Sequence, residues 1–242
     1  VPPSPEKVTI RDTFHNLRQN KPLFIVLLSF FFCVFHNVAG GLYIYFFINN
    51  LGDGSLQMAI GVMGIVAAVL CLVAPMQKRK LFMILCGLDV AVRVVMWFVG
   101  YQQVTMLFIL LGLSTLFVMM TNILTSSMIA DTIEYAEYHT HKRCAAITFS
   151  GQTFTGKMSV AVGGGLIGVF LTMIGYVPQA QIQSESVLSG LFFGICLLPA
   201  IGSLIRMGFM SRFTFTEEKH AEICRLLAER NASAKAPGGG CA

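Results

Sequence analysis

An all-α membrane protein of six transmembrane helices is the fold this sequence predicts, on three observations. Apolar residues come in six continuous runs, each long enough to approach the roughly 20 residues a helix needs to cross the hydrocarbon core. Charge is scarce, with 12% of residues Asp, Glu, Lys or Arg, where an ordinary soluble domain has about 25%. The mean hydropathy of +0.71 leaves too little polar surface to cover a water-soluble fold. Strands are not expected, because the runs lack the alternation of barrel segments.

Residues 1–22 read as a cytoplasmic linker or middle loop, more a connection than a start. Ile10, Phe14 and Leu17 fall at helical spacing within it. The transmembrane bundle takes residues 23–211. Its first span, Leu23–Ile48, follows Pro22 and carries His36-Asn37 at its middle, placed either to face a cavity or to bond a neighbouring helix. The second, Gln57–Met76, ends at Lys78-Arg79-Lys80. The third, Leu81–Tyr101, carries Asp89 and Arg93, four residues apart and able to pair on one helix face. The fourth, Val104–Ala130, is uncharged but holds Asn122 and Thr125. Cys144–Val177 contains Lys157, and Val187–Met210 carries Arg206.

Residues 212–242 form a cytoplasmic tail. Within it Thr214-Phe-Thr-Glu217 has the capping-box pattern, opening a helix whose Ile223, Leu226 and Leu227 would lie on the membrane surface. Lys and Arg outside the spans fall in the N-terminal segment, the second-to-third and fourth-to-fifth connections, and the tail. The other three connections have none. Positive charge marks the cytoplasmic side, so both termini are expected there.

Several functions are excluded by spacing. Gly151-Gln-Thr-Phe-Thr-Gly156-Lys157 looks like a phosphate loop, but Met158 stands where a magnesium-binding Ser or Thr is needed, and no strand precedes it. The seven cysteines are scattered without metal spacing, and His139 and His141 have no third ligand nearby, so neither disulfide nor metal is expected. No nucleophile–base pattern points to an enzyme, and no nucleic acid is expected as a partner.

Lys157 is the informative residue. An ammonium at bilayer depth is tolerated only when it faces a protein interior or a water-filled path. Either it pairs with a carboxylate across the bundle, or it lines a substrate or ion pathway. Thr153 lies one turn before it, and with Gln152 they form a polar stripe. At the cytoplasmic mouth Asp131, Glu134 and Tyr135 stack at i, i+3 and i+4. With Glu137 and Arg143 they form either a solvated loop or a gate whose ion pairs break between states.

The junction IADTIEYAEYHTHKRCAAITFSGQTFTGKMS resembles the glycoside–pentoside–hexuronide:cation symporters, the melibiose permease-like group. In them a helix ends in an acidic run, an Arg-Cys-Glu-like segment follows, and the next helix carries a lysine or arginine. Asp131, Glu134, Tyr135, Glu137, Arg143 and Cys144 match this pattern, as do Gln152, Thr153 and Lys157. Similarity continues in YIYFFINNLGD (Tyr43–Asp53) and Ile174-Gly-Tyr-Val-Pro178. The chain departs at Ala136, where the family has Gly, at Ala145, where it has Glu, and at Asn122, which replaces an aromatic.

The resemblance implies the C-terminal half of a major facilitator superfamily transporter in a bacterial inner membrane, moving a sugar or glycoside with a sodium ion or proton. In such a half Lys157, Thr153, Gln152, Asn122 and Asn37 are expected to face the cavity and bind substrate, their donors and acceptors suiting hydroxyl-rich or anionic ligands, and Asp131, Glu134, Glu137 and Arg143 to form a cytoplasmic gate. No cofactor is implied beyond the coupling cation, held mainly by an N-terminal six-helix half. That half, the sugar, the cation and membrane lipid are the expected partners. The alternative is a truncated or non-transporting six-helix interaction protein.

Overall fold

The computed structural model describes residues 20–52, 54, 77–140, 145–178, 180 and 182–235, so the expected second span, Gln57–Met76, lies outside the described residues. Helices α1 (Lys21–Phe31) and α2 (Val34–Phe46) form the first span together with a π-helical turn at Phe47–Leu51. Then come α3 (Lys78–Val99), α4 (Val104–Thr140), α5 (Ala145–Met173), α6 (Glu185–Ser211) and α7 (Glu217–Lys235). Among the described residues five segments are long and apolar enough to cross a membrane: Lys21–Leu51, α3, α4, α5 and α6.

Helix ends follow local chemistry. Asn20 caps α1 by accepting from Leu23 N at 3.1 Å, and Pro22 occupies the first turn, where its missing N–H costs nothing. Gly52 closes the first span in the left-handed region at φ 75°, which glycine adopts without a Cβ clash. Gly100 ends α3 at the same φ.

Four expectations change. The first span is two helices. The ladder slips at Phe32 and Cys33, whose N–H groups reach Leu28 and Phe30. The fourth helix does not stop at Ala130 but runs to Thr140, so the acidic run is helical. The tail helix does begin at Glu217, but that carboxylate does not close a local capping box. Its Oε1 accepts from Lys78 N at 2.7 Å, capping α3 instead. Nor does α7 lie free on the membrane: Ile223 and Leu227 are buried in a cluster with Met128, Ile129, Phe213 and Phe215.

Two apolar cores organise the bundle. One joins Leu23, Phe82, Met128 and Met210 to the tail. The other joins Phe46, Phe47, Leu111, Phe192 and Ile195 at the far end. Between them, in every one of α2, α3, α4 and α6, the chain places polar side chains: His36, Asp89, Arg93, Ser114 and Ser203. Burial of apolar side chains above and below therefore fixes a polar layer at mid-height.

Close packing depends on small residues. A Cβ on Gly202 would meet Phe35 Cβ at 2.7 Å, whereas nothing lies within 4 Å of one on Gly40. Phe35 Cβ has no rotamer by which to retreat. Gly202→Ala is expected to cost about 1–3 kcal/mol by overpacking, with Gly40→Ala near neutral. Heating the detergent-solubilised protein and measuring the remaining monodisperse fraction would show it; equal midpoints for the two variants would contradict the packing.

Candidate functional site

The polar layer is built around Asp89. Arg93, one turn on in α3, donates Nε–H to Asp89 Oδ1 at 3.0 Å, the pairing that their spacing predicts. Ser114 of α4 donates to the same oxygen at 2.5 Å, and Ser203 of α6 donates to Oδ2 at 2.6 Å. His36 Nε2 lies 3.3 Å from Oδ2 and 3.2 Å from Ser203 Oγ. One carboxylate thus ties four helices together, and it is 1% exposed.

Arg93 also donates from Nη1 to the Ile195 carbonyl at 2.7 Å. That acceptor is free for a specific reason. Pro199 sits four residues later inside α6 and lacks the N–H that would otherwise bond it. A buried guanidinium needs several acceptors, and the proline supplies one from backbone.

Beside this layer is a cavity of about 470 Å³ between the first span, α3, α4 and α5. Its polar wall comprises His36, Asn37, Tyr43, Arg93, Thr115 and Asn122; Val160 and Gly164 of α5 are among its apolar residues. The break in the first span lies at its edge, where Cys33 also lines it.

Of the residues expected to bind substrate, Asn37 and Asn122 line this cavity. Asn37 donates to Ser159 Oγ at 3.0 Å, and Asn122 Oδ1 accepts from Arg206 Nη2 at 3.3 Å. Gln152 donates to Ser126 Oγ at 2.8 Å, joining α5 to α4. Thr153 is exposed and returns its hydroxyl to Phe149 O. Lys157 is exposed on α5, and among the described residues no carboxylate pairs with it. It shares a helix stripe with Val160 and Gly164, at i+3 and i+7, which line the cavity, but Lys157 itself is not among the lining residues. Only 11% of the apolar window of α5 is buried, against 50% for α6.

The end of the bundle where α3 begins and α4 ends carries a second layer of charge. Lys78 Nζ reaches Asp131 Oδ2 at 2.6 Å. His220 Nε2 lies 3.7 Å from Glu134 Oε2, and Arg230 Nη2 lies 3.9 Å from Glu137 Oε1. Arg143 lies outside the described residues. The three acidic residues of the expected gate therefore meet bases from α3 and the tail helix. Arg79 adds a bond to Ser211 O at 2.6 Å, and Asn20 donates to Thr132 O at 3.0 Å. Desolvation, with Glu134 and Asp131 nearby, pushes the Cys224 thiol above its ordinary range, so it stays protonated.

Sequence reasoning missed Ser114, Ser203 and Tyr43, whose hydroxyls carry no signal among apolar neighbours. It also gave no role to Arg206, although an arginine within a span is the same signal that drew attention to Lys157.

Comparisons with known proteins agree with this architecture. A family model described as MFS/sugar transport protein matches residues 2–217. The chain is 28% identical over 236 residues to the uncharacterized symporter YjmB of Bacillus subtilis, covering 93% of this chain and 50% of that protein. It is 26% identical over 220 residues to a glucuronide carrier protein homolog of Escherichia coli, covering 87% and 48%. A putative sulfoquinovose importer of Salmonella typhimurium is 37% identical over 112 residues, 45% of this chain and 23% of that protein. The chain spans about half the length of the first two.

Proposed function

This chain belongs to the MFS/sugar transport protein family, and on that premise we propose that it is the C-terminal six-helix half of a carrier. That carrier moves a sugar or glycoside together with sodium or a proton across a bacterial inner membrane, with both ends of this half in the cytoplasm. The observation that carries the reading is the cavity lined by Asn37, Asn122 and Arg93, with the thinly covered wall of α5 beside it. A helix so little buried within its own bundle is a surface prepared for another body. Transporters of this architecture bind substrate between two halves and rock around it.

Asn37 and Asn122 then supply donors and acceptors for sugar hydroxyls, and Lys157, Thr153 and Gln152 extend the polar stripe toward the cytoplasm. Asp131, Glu134, Glu137 and Arg143 form the cytoplasmic closure. Their pairs with Lys78, His220 and Arg230 stabilise one arrangement of α4 and the tail, and opening exchanges them for others. The coupling cation binds mainly on the N-terminal half, and substrate shifts the equilibrium only by binding one state better than the other.

Gradient-driven uptake into proteoliposomes holding the full-length carrier tests this directly. Labelled glycosides are expected to accumulate under an imposed sodium or proton gradient and to leak out when an ionophore collapses it. Absence of uptake for every sugar in the panel, under either gradient, would defeat the reading.

A further inference from the structure

A second cavity, of about 510 Å³, lies where α3 begins, α4 ends and the tail meets them. That is the size of a small-molecule site. Lys78, Arg79 and Lys80 line it together with Asp131 and Glu217, and Met83, Met128 and Phe213 give it an apolar side. The bias of positive charge toward one side of a membrane explains why bases gather at this end. It does not explain why three of them line a half-apolar hollow.

The charges there do not all cancel. Lys78 Nζ is held by Asp131 Oδ2 at 2.6 Å, and Glu217 accepts from the backbone N–H of the same lysine at 2.7 Å. Arg79 gives one donor to the Ser211 carbonyl, a neutral acceptor, at 2.6 Å, and its planar fork has others left. Lys80 is exposed, and among the described residues neither it nor Arg79 has a carboxylate partner. His220 also lines the cavity but faces Glu134. Leaving that pair aside, three bases against two acids make one net positive charge. All three bases stand on the first turn of α3, which holds no acid and where the helix dipole is itself positive.

We propose that this cavity is a binding site for the phosphodiester head of an anionic phospholipid in the adjoining leaflet. Basic pockets between membrane helices suit such heads. One net positive charge matches the single negative charge of a phosphodiester. Arg79 and Lys80 hold its oxygens, Arg79 through the N–H groups that Ser211 leaves over, while Lys78 stays with Asp131. The apolar side decides for a lipid over a free phosphate. Met83 leads to Ile84, 46% exposed, and one turn on to Leu88, 44% exposed, so an acyl chain leaving the cavity along α3 stays on apolar surface. Because the lining comes from α3, α4 and the tail, the bound head ties those three elements together.

In the test, the purified full-length carrier in detergent is titrated with dioleoyl phosphatidylglycerol and with dioleoyl phosphatidylcholine, which differ only in the head. Bound lipid is counted by native mass spectrometry. Phosphatidylglycerol is expected to bind at least about tenfold more tightly, the scale of one or two bases beside an anionic lipid. Arg79→Gln combined with Lys80→Gln should bring that ratio toward one. Lys80→Glu alone should do most of this while leaving the Arg79–Ser211 contact in place. Arg212→Gln combined with Lys219→Gln removes two exposed bases of the tail that do not line the cavity, and should leave the ratio unchanged. Equal binding of the two lipids overturns the site. A loss as large in the tail variant means diffuse attraction and overturns it too. Inorganic phosphate is the third arm: if it displaces phosphatidylglycerol, the cavity takes a soluble anion and the lipid assignment falls.

Discussion

Lys157→Ala is expected to abolish gradient-driven uptake in the complete carrier while the protein still reaches the membrane. Lys157 is exposed on α5, so truncation removes no packing and leaves no cavity. It makes no ion pair among the described residues, so no buried acid is orphaned by its loss. What disappears is a positive charge one helical turn from Val160, which lines the cavity. Coupling between two bound species amounts to about 1–3 kcal/mol, so uptake per molecule should fall at least about tenfold on that scale. Lys157→Arg, which keeps the charge, should retain part. Initial uptake rates normalised to the amount of protein in the membrane give the answer, and unaltered coupled uptake in Lys157→Ala would remove the residue from the pathway.

Asp89→Leu is expected to be the most destabilising single change in the bundle. It strips Arg93 of its carboxylate and leaves the Ser114 and Ser203 hydroxyls without their acceptor, all at buried positions. Removing one partner of a buried pair costs about 3–5 kcal/mol, because the other charge is left uncompensated. The double variant Asp89→Leu with Arg93→Leu should recover much of that loss, since a buried pair and an apolar pair are often close in stability. Thermal melts of the solubilised variants would show the non-additivity. Additive losses in the double variant would mean that the two side chains do not act as a unit.

The spans were legible because lipid demands continuous apolar runs, and α3, α4, α5 and α6 all appear where those runs lie. Their ends were less so. Hydropathy reports where lipid stops, not where a helix stops. The segment after Ala130 is polar, yet DTIEYAEYHT has no glycine or proline, and α4 continues through it to Thr140. The break at Phe32–Cys33 was invisible for the opposite reason: neither residue is a helix breaker, and the slip arises in tertiary packing.

The site divides in the same way. The Asp89–Arg93 pair could be read from a four-residue spacing. Its partners Ser114, Ser203 and His36 lie 25, 114 and 53 residues from Asp89, beyond any local pattern. Glu217 shows the competition directly, for a local motif promised one cap while the fold used that carboxylate on a helix 139 residues away.

Pro199 carries an unexpected lesson for anyone engineering stability into this protein. Exchanging an interior proline for alanine ordinarily straightens and strengthens a helix. Here the new amide would reach the oxygen on which the Arg93 guanidinium already rests, and the two donors would have to share its two lone pairs in place of the guanidinium having them to itself. An apparent flaw in α6 is thus part of the seat of a charge on α3, and mending the first would unsettle the second.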